Sequence, residues 1–313
     1  MNIENDIKVS VCVVTYNQEN YIAECLESLV NQVTNFKYEI IVGEDCSTDS
    51  TRAIVQSYVE RYPDLIVPLF YKNNIGAVEN IKKVYKKAKG KYIAHMDGDD
   101  IALPGKLQKQ FDILEKNPDC SICVHNMNAV DANSNFMKRE FTIFDEKKYS
   151  LIDMYLINPF FIHSSKMFIN KIDEYIDDLN ENALDIEVHI EQAKQGNIYF
   201  LKENLGIYRQ FVGVTYDGKL INPLIPARIQ DVYNRFDREK FSLNQVNKVT
   251  NKYSYILLQY ANHYTLRNDF ISAKKYVKQS LMTSKSKYSL LFILIFINPC
   301  LLKVILKFFK KWK

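Results

Sequence analysis

Over the first 126 residues the hydrophobic positions switch repeatedly between two periods. Residues 9–14 form a short apolar, β-branched run that stops at Thr15-Tyr16-Asn17, the pattern of a buried strand. Ile22, Cys25, Leu26, Leu29 and Val30 then recur at helical spacing. Residues 38–42 predict a second strand, ending at Gly43-Glu44-Asp45. After it, Ser47, Thr48 and Asp49 offer N-caps for a helix carrying Ile54, Val55, Tyr58 and Val59. Residues 66–71 predict a third strand. Ile81, Val84, Tyr85 and Ala88 predict a third helix, closed by Gly90 as its C′ residue. A fourth strand over 92–96 and a fourth helix on Leu107, Phe111 and Leu114, with Pro104 near its first turn, complete the series. Strand and helix alternating at this rhythm predict an α/β fold built on a parallel sheet.

The polar residues interrupt this pattern at particular places. Thr15-Tyr16-Asn17, residues 45–49, Asn73-Asn74 with Gly76, and Asp97-Gly98-Asp99-Asp100 all fall where a predicted strand ends. In an open parallel sheet that edge is where ligands bind.

Residues 127–215 mix strand-like and helical pieces and are expected to build the acceptor side of a cleft. From 226 to 285 the pattern is helical, and residues 260–281 have the cadence of one tetratricopeptide-type unit. One copy cannot form a solenoid, so a helical hairpin braced against the main domain is expected. Beyond it, residues 290–297 are apolar without interruption until Asn298-Pro299. Lys303, Lys307, Lys310 and Lys311 then share one helical face, away from Leu302, Ile305, Leu306, Phe309 and Trp312. That run is too short to span a bilayer and fits an amphipathic anchor at the membrane interface, with a helix packed on the protein as the alternative. The expected organisation is therefore a main domain over 1–215 with halves 1–126 and 127–215, a helical extension over 216–285, and a basic membrane-associating tail over 286–313.

Charge sharpens this division. The net charge is +4, but ten of the 41 basic residues lie from Phe270 onward, where there is no acid, leaving 31 basic against 37 acidic side chains before it. A nucleic-acid enzyme would carry its positive field around the cleft, so that class is set aside; a basic tail suits an anionic membrane surface. The polar, acidic N-terminal residues resemble no secretory signal. With six cysteines that behave as small hydrophobes, the expected location is cytoplasmic, peripheral at the inner face of the cell membrane. Cys120 and Cys123 have half of a zinc spacing, but no second pair sits at ligand distance and their run reads as a buried strand.

The chemistry starts at the acidic cluster. In extended chain Asp97 and Asp99 would point the same way, with Gly98 letting the backbone approach a ligand. Adjacent carboxylates repel unless a cation joins them, and hard oxygen ligands select Mg²⁺ or Mn²⁺ completed by substrate phosphates. No glycine-rich phosphate loop is present, so phosphate charge would have to be met by metal. Asp45, Thr15 and Asn17 could bond to a base or ribose and Tyr16 could offer an aromatic face, although turn or N-cap duty explains each equally well. A sugar hydroxyl attacking an anomeric carbon needs one carboxylate base, and Asp185-Ile186-Glu187 opens an apparent helix where a cap is also expected.

Residues 9–17, residues 44–51, Asn74-Ile75-Gly76 and residues 89–100, continued by Leu103-Pro104-Gly105-Lys106-Leu107 and Gln110, resemble the successive motifs of family 2 glycosyltransferases with the GT-A fold. The resemblance covers roughly residues 8–215. It implies a GT-A-type nucleotide-binding, mainly parallel sheet flanked by helices, and an inverting transfer from a nucleoside-diphosphate sugar, often UDP-linked. It implies that Thr15, Tyr16, Asn17, Asp45, Asn74 and Asp97 line the nucleoside site, that Asp99 binds the metal with Asp100 close by, and that Asp185, or else Glu187, is the general base. Phe211 stands where the family often has a histidine after Tyr-Arg, so the chain must do without that contact or use another group, and Arg209 is a candidate for diphosphate contact. His163 is expected either in the acceptor pocket or in a structural role. The acceptor would be a surface glycan, lipid-linked or not. The rival expectation is a catalytically degenerate sugar-nucleotide-binding scaffold at the membrane.

Overall fold

The computed structural model describes residues 7–140, 144–157, 160–210, 212, 222 and 224–284. The chain divides into two compact units, Met1–Asn222 and Pro223–Lys313, a boundary a few residues beyond the expected one.

The first unit begins with the anticipated alternation: β1 (Val9–Thr15), α1 (Ile22–Val30), β2 (Tyr38–Glu44), α2 (Thr51–Arg61), β3 (Ile66–Phe70), α3 (Ala77–Lys87) and β4 (Tyr92–Asp97). There follow β5 (Ile101–Ala102), α4 (Lys106–Lys116), β6 (Cys120–Val130), β7 (Phe136–Glu140), β8 (Lys147–Tyr149), α5 (Leu151–Leu156), β9 (Met167–Ile169), α6 (Asp185–Ala193) and β10 (Asn197–Arg209). Among the described residues these ten strands form one sheet in the order β3-β2-β1-β4-β9-β6-β10-β5, with β7 on β6 and β8 on β10.

β1 to β4 pair in parallel, as their pattern predicts. The second half is mixed. The three-residue β9 runs antiparallel to both β4 and β6, whereas β6 and β10 are parallel to each other. A period-2 or apolar pattern reports that a strand exists but not which neighbour it pairs with, so the antiparallel pairings of the second half within the expected α/β sheet were not visible in it.

Alternation along β1 divides the core. Val9, Val11 and Val13 pack with Ile40, Val42, Ala94 and Met96 against Ile22, Cys25, Leu26 and Leu29 of α1 and Val55 and Tyr58 of α2. Cys12 points to the other face, where its thiol reaches the Val84 carbonyl of α3. Each fully buried aliphatic side chain there contributes about 1.5–3 kcal/mol of transfer free energy. Cys120 and Cys123 are buried in β6, as read from the sequence.

Register fixes where the strands end. Val14 lies opposite Asp97, Thr15 opposite Glu44, and Glu44 opposite Phe70, so the polar clusters after β1, β2, β3 and β4 emerge at one level.

The second unit contains α7 (Leu224–Asn234), α8 (Leu243–Leu266) and α9 (Phe270–Thr283). α8 and α9 form an antiparallel hairpin, fastened by a buried Ser254–Ser280 hydroxyl pair at 2.7 Å and by Tyr264 stacked on Tyr276. Ser242 and Asp269 cap the two helices by accepting from Gln245 N and Ser272 N. Among the described residues no helix is long and apolar enough to cross a membrane. The basic tail expected at 286–313 lies outside them.

Gly90 is not the C′ residue of α3, which ends at Lys87 with Ala88 as its cap. It is instead pressed against β1: a Cβ at Gly90 would stand 2.5 Å from Ser10 N and 2.7 Å from the Val9 carbonyl carbon. Both are backbone atoms and cannot step aside. Gly90→Ala is therefore expected to destabilise the protein by at least about 1–3 kcal/mol, the usual cost of overpacking. An unchanged urea midpoint would contradict this.

Candidate active site

β4 delivers the acidic cluster to the strand-end edge, and there the chain turns. Asp100 N donates to Asp97 O at 3.0 Å, so residues 97–100 are not extended, and strand alternation does not align Asp97 with Asp99. Gly98 has its own reason to be glycine: a Cβ would stand 2.5 Å from Gln18 Oε1 and 2.9 Å from Thr15 Cβ. The crowding comes from Thr15 of β1 and from Gln18 after it.

Each carboxylate has a different environment. Asp97 Oδ1 lies 3.1 Å from His95 Nε2, and Oδ2 accepts from Ser164 Oγ at 3.2 Å. Burial opposes its charge, but the His95 N–H and the neighbouring imidazoles outweigh burial and hold it below the usual carboxylate range. Asp99 is half-buried, and burial together with the Asp97 charge lifts its pKa to about 7. Asp100 is 1% exposed; burial, then Asp99 and Asp97, push it well above the normal range. Its Oδ1 accepts from Arg209 N at 3.0 Å, while the buried Oδ2 has no hydrogen-bond partner. An orphaned carboxylate oxygen among acids that resist ionisation is a donor set that fits a hard divalent cation.

Arg209 ends β10 with its side chain only 1% exposed. Its guanidinium donates to Asp99 O (3.2 Å), Ser134 Oγ (2.8 Å) and Glu24 Oε2 (2.7 Å), and it lies over the Tyr21 ring. The sequence suggested diphosphate contact. In the structure the guanidinium is engaged by α1, the β6–β7 turn and the acidic turn, and it braces the last of these.

The residues expected around the nucleoside are brought together as loops that fasten one another. Asn17, in left-handed backbone at φ 52°, accepts from Thr48 N at 2.8 Å. Thr15 Oγ1 donates to Gln18 Oε1 at 2.8 Å, and Tyr16 is half-buried beside it. Asp45 is 2% exposed, and its two oxygens accept from Ile75 N (2.7 Å) and Gly76 N (3.0 Å). Asn74 Nδ2 donates back to Asp45 O at 3.2 Å. In this structure Asp45 shapes the loop after β3, so only its remaining lone pairs are open to a base.

Across the edge, α6 separates the two base candidates. Glu187 is buried and its Oε1 accepts from Leu184 N at 3.1 Å, a capping position. Asp185, the first residue of α6, keeps an exposed carboxylate (64%) whose Oδ1 lies 3.1 Å from His163 Nδ1. His163 stacks on His95 with ring centroids 3.7 Å apart and planes 18° from parallel. Asp185 is thus linked to Asp97 through two imidazoles. His95, Asp97 and His163 also place donor atoms within 4.8 Å of one another. Stacking keeps the two ring planes, and so the nitrogen lone pairs, nearly parallel, which is poor geometry for a shared ion.

His95, Ser164 and the buried Lys106 and Lys166 were missed by the sequence reading. Lys106 Nζ donates to Ser164 O at 3.0 Å, and Lys166 Nζ to Gln192 Oε1 at 3.1 Å. One signal was available: His95 sits two residues before Asp97, on the same face of the strand, and interrupts an otherwise apolar run. Phe211 lies outside the described residues.

A parallel βαβ half, a mixed second half and an acidic turn after the fourth strand together constitute the GT-A fold, as found in nucleotide-sugar-dependent transferases. The model of glycosyl transferase family 2 matches residues 10–176, and the chain belongs to that family of glycosyltransferases. It is 33% identical over 205 residues to uncharacterized protein Rv1520 of Mycobacterium tuberculosis, covering 64% of this chain and 58% of that one. It is 27% identical over 212 residues to the poly(ribitol-phosphate) beta-glucosyltransferase of Bacillus spizizenii, covering 67% of this chain and 32% of that one. The chain thus spans less than two thirds of the length of these curated relatives. Among solved structures, S. aureus TarS 1-349 in complex with UDP-GlcNAc superposes with a TM-score of 0.57 at 19% identity, covering 86% of this chain and 90% of that one, a likeness of fold.

The Asp99 shift carries a sign. Its folded pKa, about 7, exceeds the ordinary value near 4, so the stability it contributes at acid pH is lost as pH rises from about 4 to about 7. Without metal, Asp99→Asn should be more stable than wild type by a margin that grows over that window and is level above it. Mn²⁺ should stabilise the wild type at pH 8 and not the variant. Melting temperatures across pH, with and without chelator, check both; parallel curves would refute the assignment.

Proposed function

We propose that this chain is an inverting, metal-using glycosyltransferase that moves a sugar from a nucleoside-diphosphate donor, a UDP-sugar, to a hydroxyl of a surface-glycan acceptor. The observation that carries the reading is the pairing of one exposed carboxylate, Asp185, with the acidic turn through the stacked His95 and His163. Family membership supports the reaction class, the UDP-GlcNAc bound by TarS supports the donor class, and the name of the Bacillus relative supports a surface polymer as acceptor.

Each residue group has a task in this reading. The loops carrying Thr15, Tyr16, Asn17, Asp45 and Asn74, with Asp97, form the nucleoside side. Asp99 and Asp100 would hold Mn²⁺ or Mg²⁺, which when bound neutralises charge on the diphosphate. Asp185 takes the proton from the acceptor hydroxyl while that oxygen bonds to the anomeric carbon. The bond from the anomeric carbon to the diphosphate oxygen breaks on the opposite face, and configuration inverts. Arg209 keeps Asp99 and Asp100 in place, as its hydrogen bonds suggest. The basic tail would hold the enzyme at the inner face of the membrane, beside a lipid-linked glycan.

Two variants test this with a panel of UDP-sugars. Asp185→Asn should keep the donor-induced rise in melting temperature yet lose about 10²–10⁴ in turnover, the usual contribution of a general base. Asp99→Ala should lose the Mn²⁺-dependent part of donor binding. Wild-type turnover in Asp185→Asn would exclude it as base. A donor that binds the wild type but is never hydrolysed or transferred would favour a catalytically degenerate scaffold.

A further inference from the structure

Three buried histidines lie between the acidic turn and α6, and the reaction as described leaves two of them without a task. His95 lies in β4, His163 in a short 3-10 turn (His163–Ser165) before β9, and His189 in α6. His163 is at the centre. One face stacks on His95, and His189 approaches it nearly perpendicular, with centroids 5.1 Å apart at 88°. His189 follows Asp185 by four residues, so both lie on one face of α6. His163 therefore meets that helix at two points one turn apart: its Nδ1 lies 3.1 Å from Asp185 Oδ1, and its ring meets His189.

The hydrogen inventory sets the state of each ring. An ionised carboxylate only accepts, so His95 presents Nε2–H to Asp97, and its Nδ1 accepts from Tyr85 O–H at 2.9 Å. His163 Nδ1 lies 3.1 Å from Asp185 Oδ1, close enough to present an N–H to that oxygen when the exposed carboxylate turns toward it. Its Nε2 is buried with no hydrogen-bond partner, which leaves no acceptor for a second proton. Burial holds both imidazoles below their ordinary pKa range, in agreement with two neutral rings in face contact.

We infer that His163 is a positioning residue that holds the Asp185 carboxylate toward the cleft through its Nδ1–H and ties the base to the nucleoside side through the His95 stack. The inference rests on the reading of Asp185 as base. Asp185 is otherwise an exposed side chain at a helix start, free to turn about its own bonds. A neutral donor can orient it without taking the proton that the acceptor must deliver to it.

Two measurements on the full chain test this. In protein carrying ¹⁵N-labelled histidine, His163 should show the Nδ1–H tautomer, and Asp185→Ala should shift its Nδ1 resonance. An Nε2–H tautomer, or no response to Asp185→Ala, overturns the inference without any need for activity.

The second measurement is kinetic, with UDP plus Mn²⁺ as the binding probe and the UDP-sugar turned over by the wild type as substrate. His163→Phe keeps a ring against His95 but no donor, whereas His163→Asn keeps a donor near the Nδ1 position. His163→Phe should lower kcat about tenfold to a hundredfold with UDP affinity unchanged, since small misplacements of a reacting group cost that much, and His163→Asn should recover part of the loss. Equal losses in both variants, or a matching loss of UDP affinity, would mean a structural role through His95 and Asp97. Full activity in Asp185→Asn would instead remove the base reading, with the tautomer still deciding the contact.

Discussion

Three carboxylates within four residues, at the end of a buried strand, have to be held against their own repulsion. Burial makes the problem worse, because it removes the water that would otherwise screen Asp97, Asp99 and Asp100 from one another. Much of the first unit can be understood as the answer to that constraint. His95 and Ser164 keep Asp97 charged, and the Arg209 backbone N–H takes one oxygen of Asp100. The Arg209 side chain fixes the Asp99 carbonyl while pairing with Glu24. What these partners leave over is one orphaned oxygen on Asp100 and a carboxyl on Asp99 that resists ionisation. The structure settles everything around the turn except the charge that a cation would bring.

The sheet topology makes those partners available. β9 enters between β4 and β6, and so places the His163–Ser165 turn beside the end of β4. β10 runs parallel to β6 and antiparallel to β5, and ends with Arg209 against the acidic turn. In this way the parallel half supplies the acids and the mixed half supplies the groups that control them. Lys106 takes part from α4, where its buried ammonium holds the Ser164 carbonyl and also meets Gln110 and His125.

Legibility in the sequence follows the range of the interactions. The strand–helix alternation was readable because each element announces itself within about ten residues, and the four polar strand ends followed from it. Asp185 was preferred over Glu187 only through the family resemblance, since both open the same helix; the fold adds that Glu187 reaches back to the Leu184 N–H. The surroundings of Arg209 were hidden for a similar reason. Its partners Glu24, Ser134 and Asp99 come from three distant segments, and a lone arginine after a tyrosine carries no sign of them. Gly90 was assigned to a helix end, yet it is fixed by close contact with the β1 backbone, and Gly98 meets Thr15 of β1 and Gln18.

These corrections change how the site achieves its geometry. At the ends of β1 and β2, Asn17 accepts from Thr48 N and Asp45 accepts from Ile75 N and Gly76 N, so these loops are fastened to one another. At the start of α6 the exposed Asp185 carboxylate lies 3.1 Å from the buried His163 ring. Preorganised groups cost no reorganisation at the moment of reaction, which is where a transferase that must hold two substrates gains most. The stacked imidazoles join the two sides: Asp97 meets His95, His95 stacks on His163, and His163 lies 3.1 Å from Asp185.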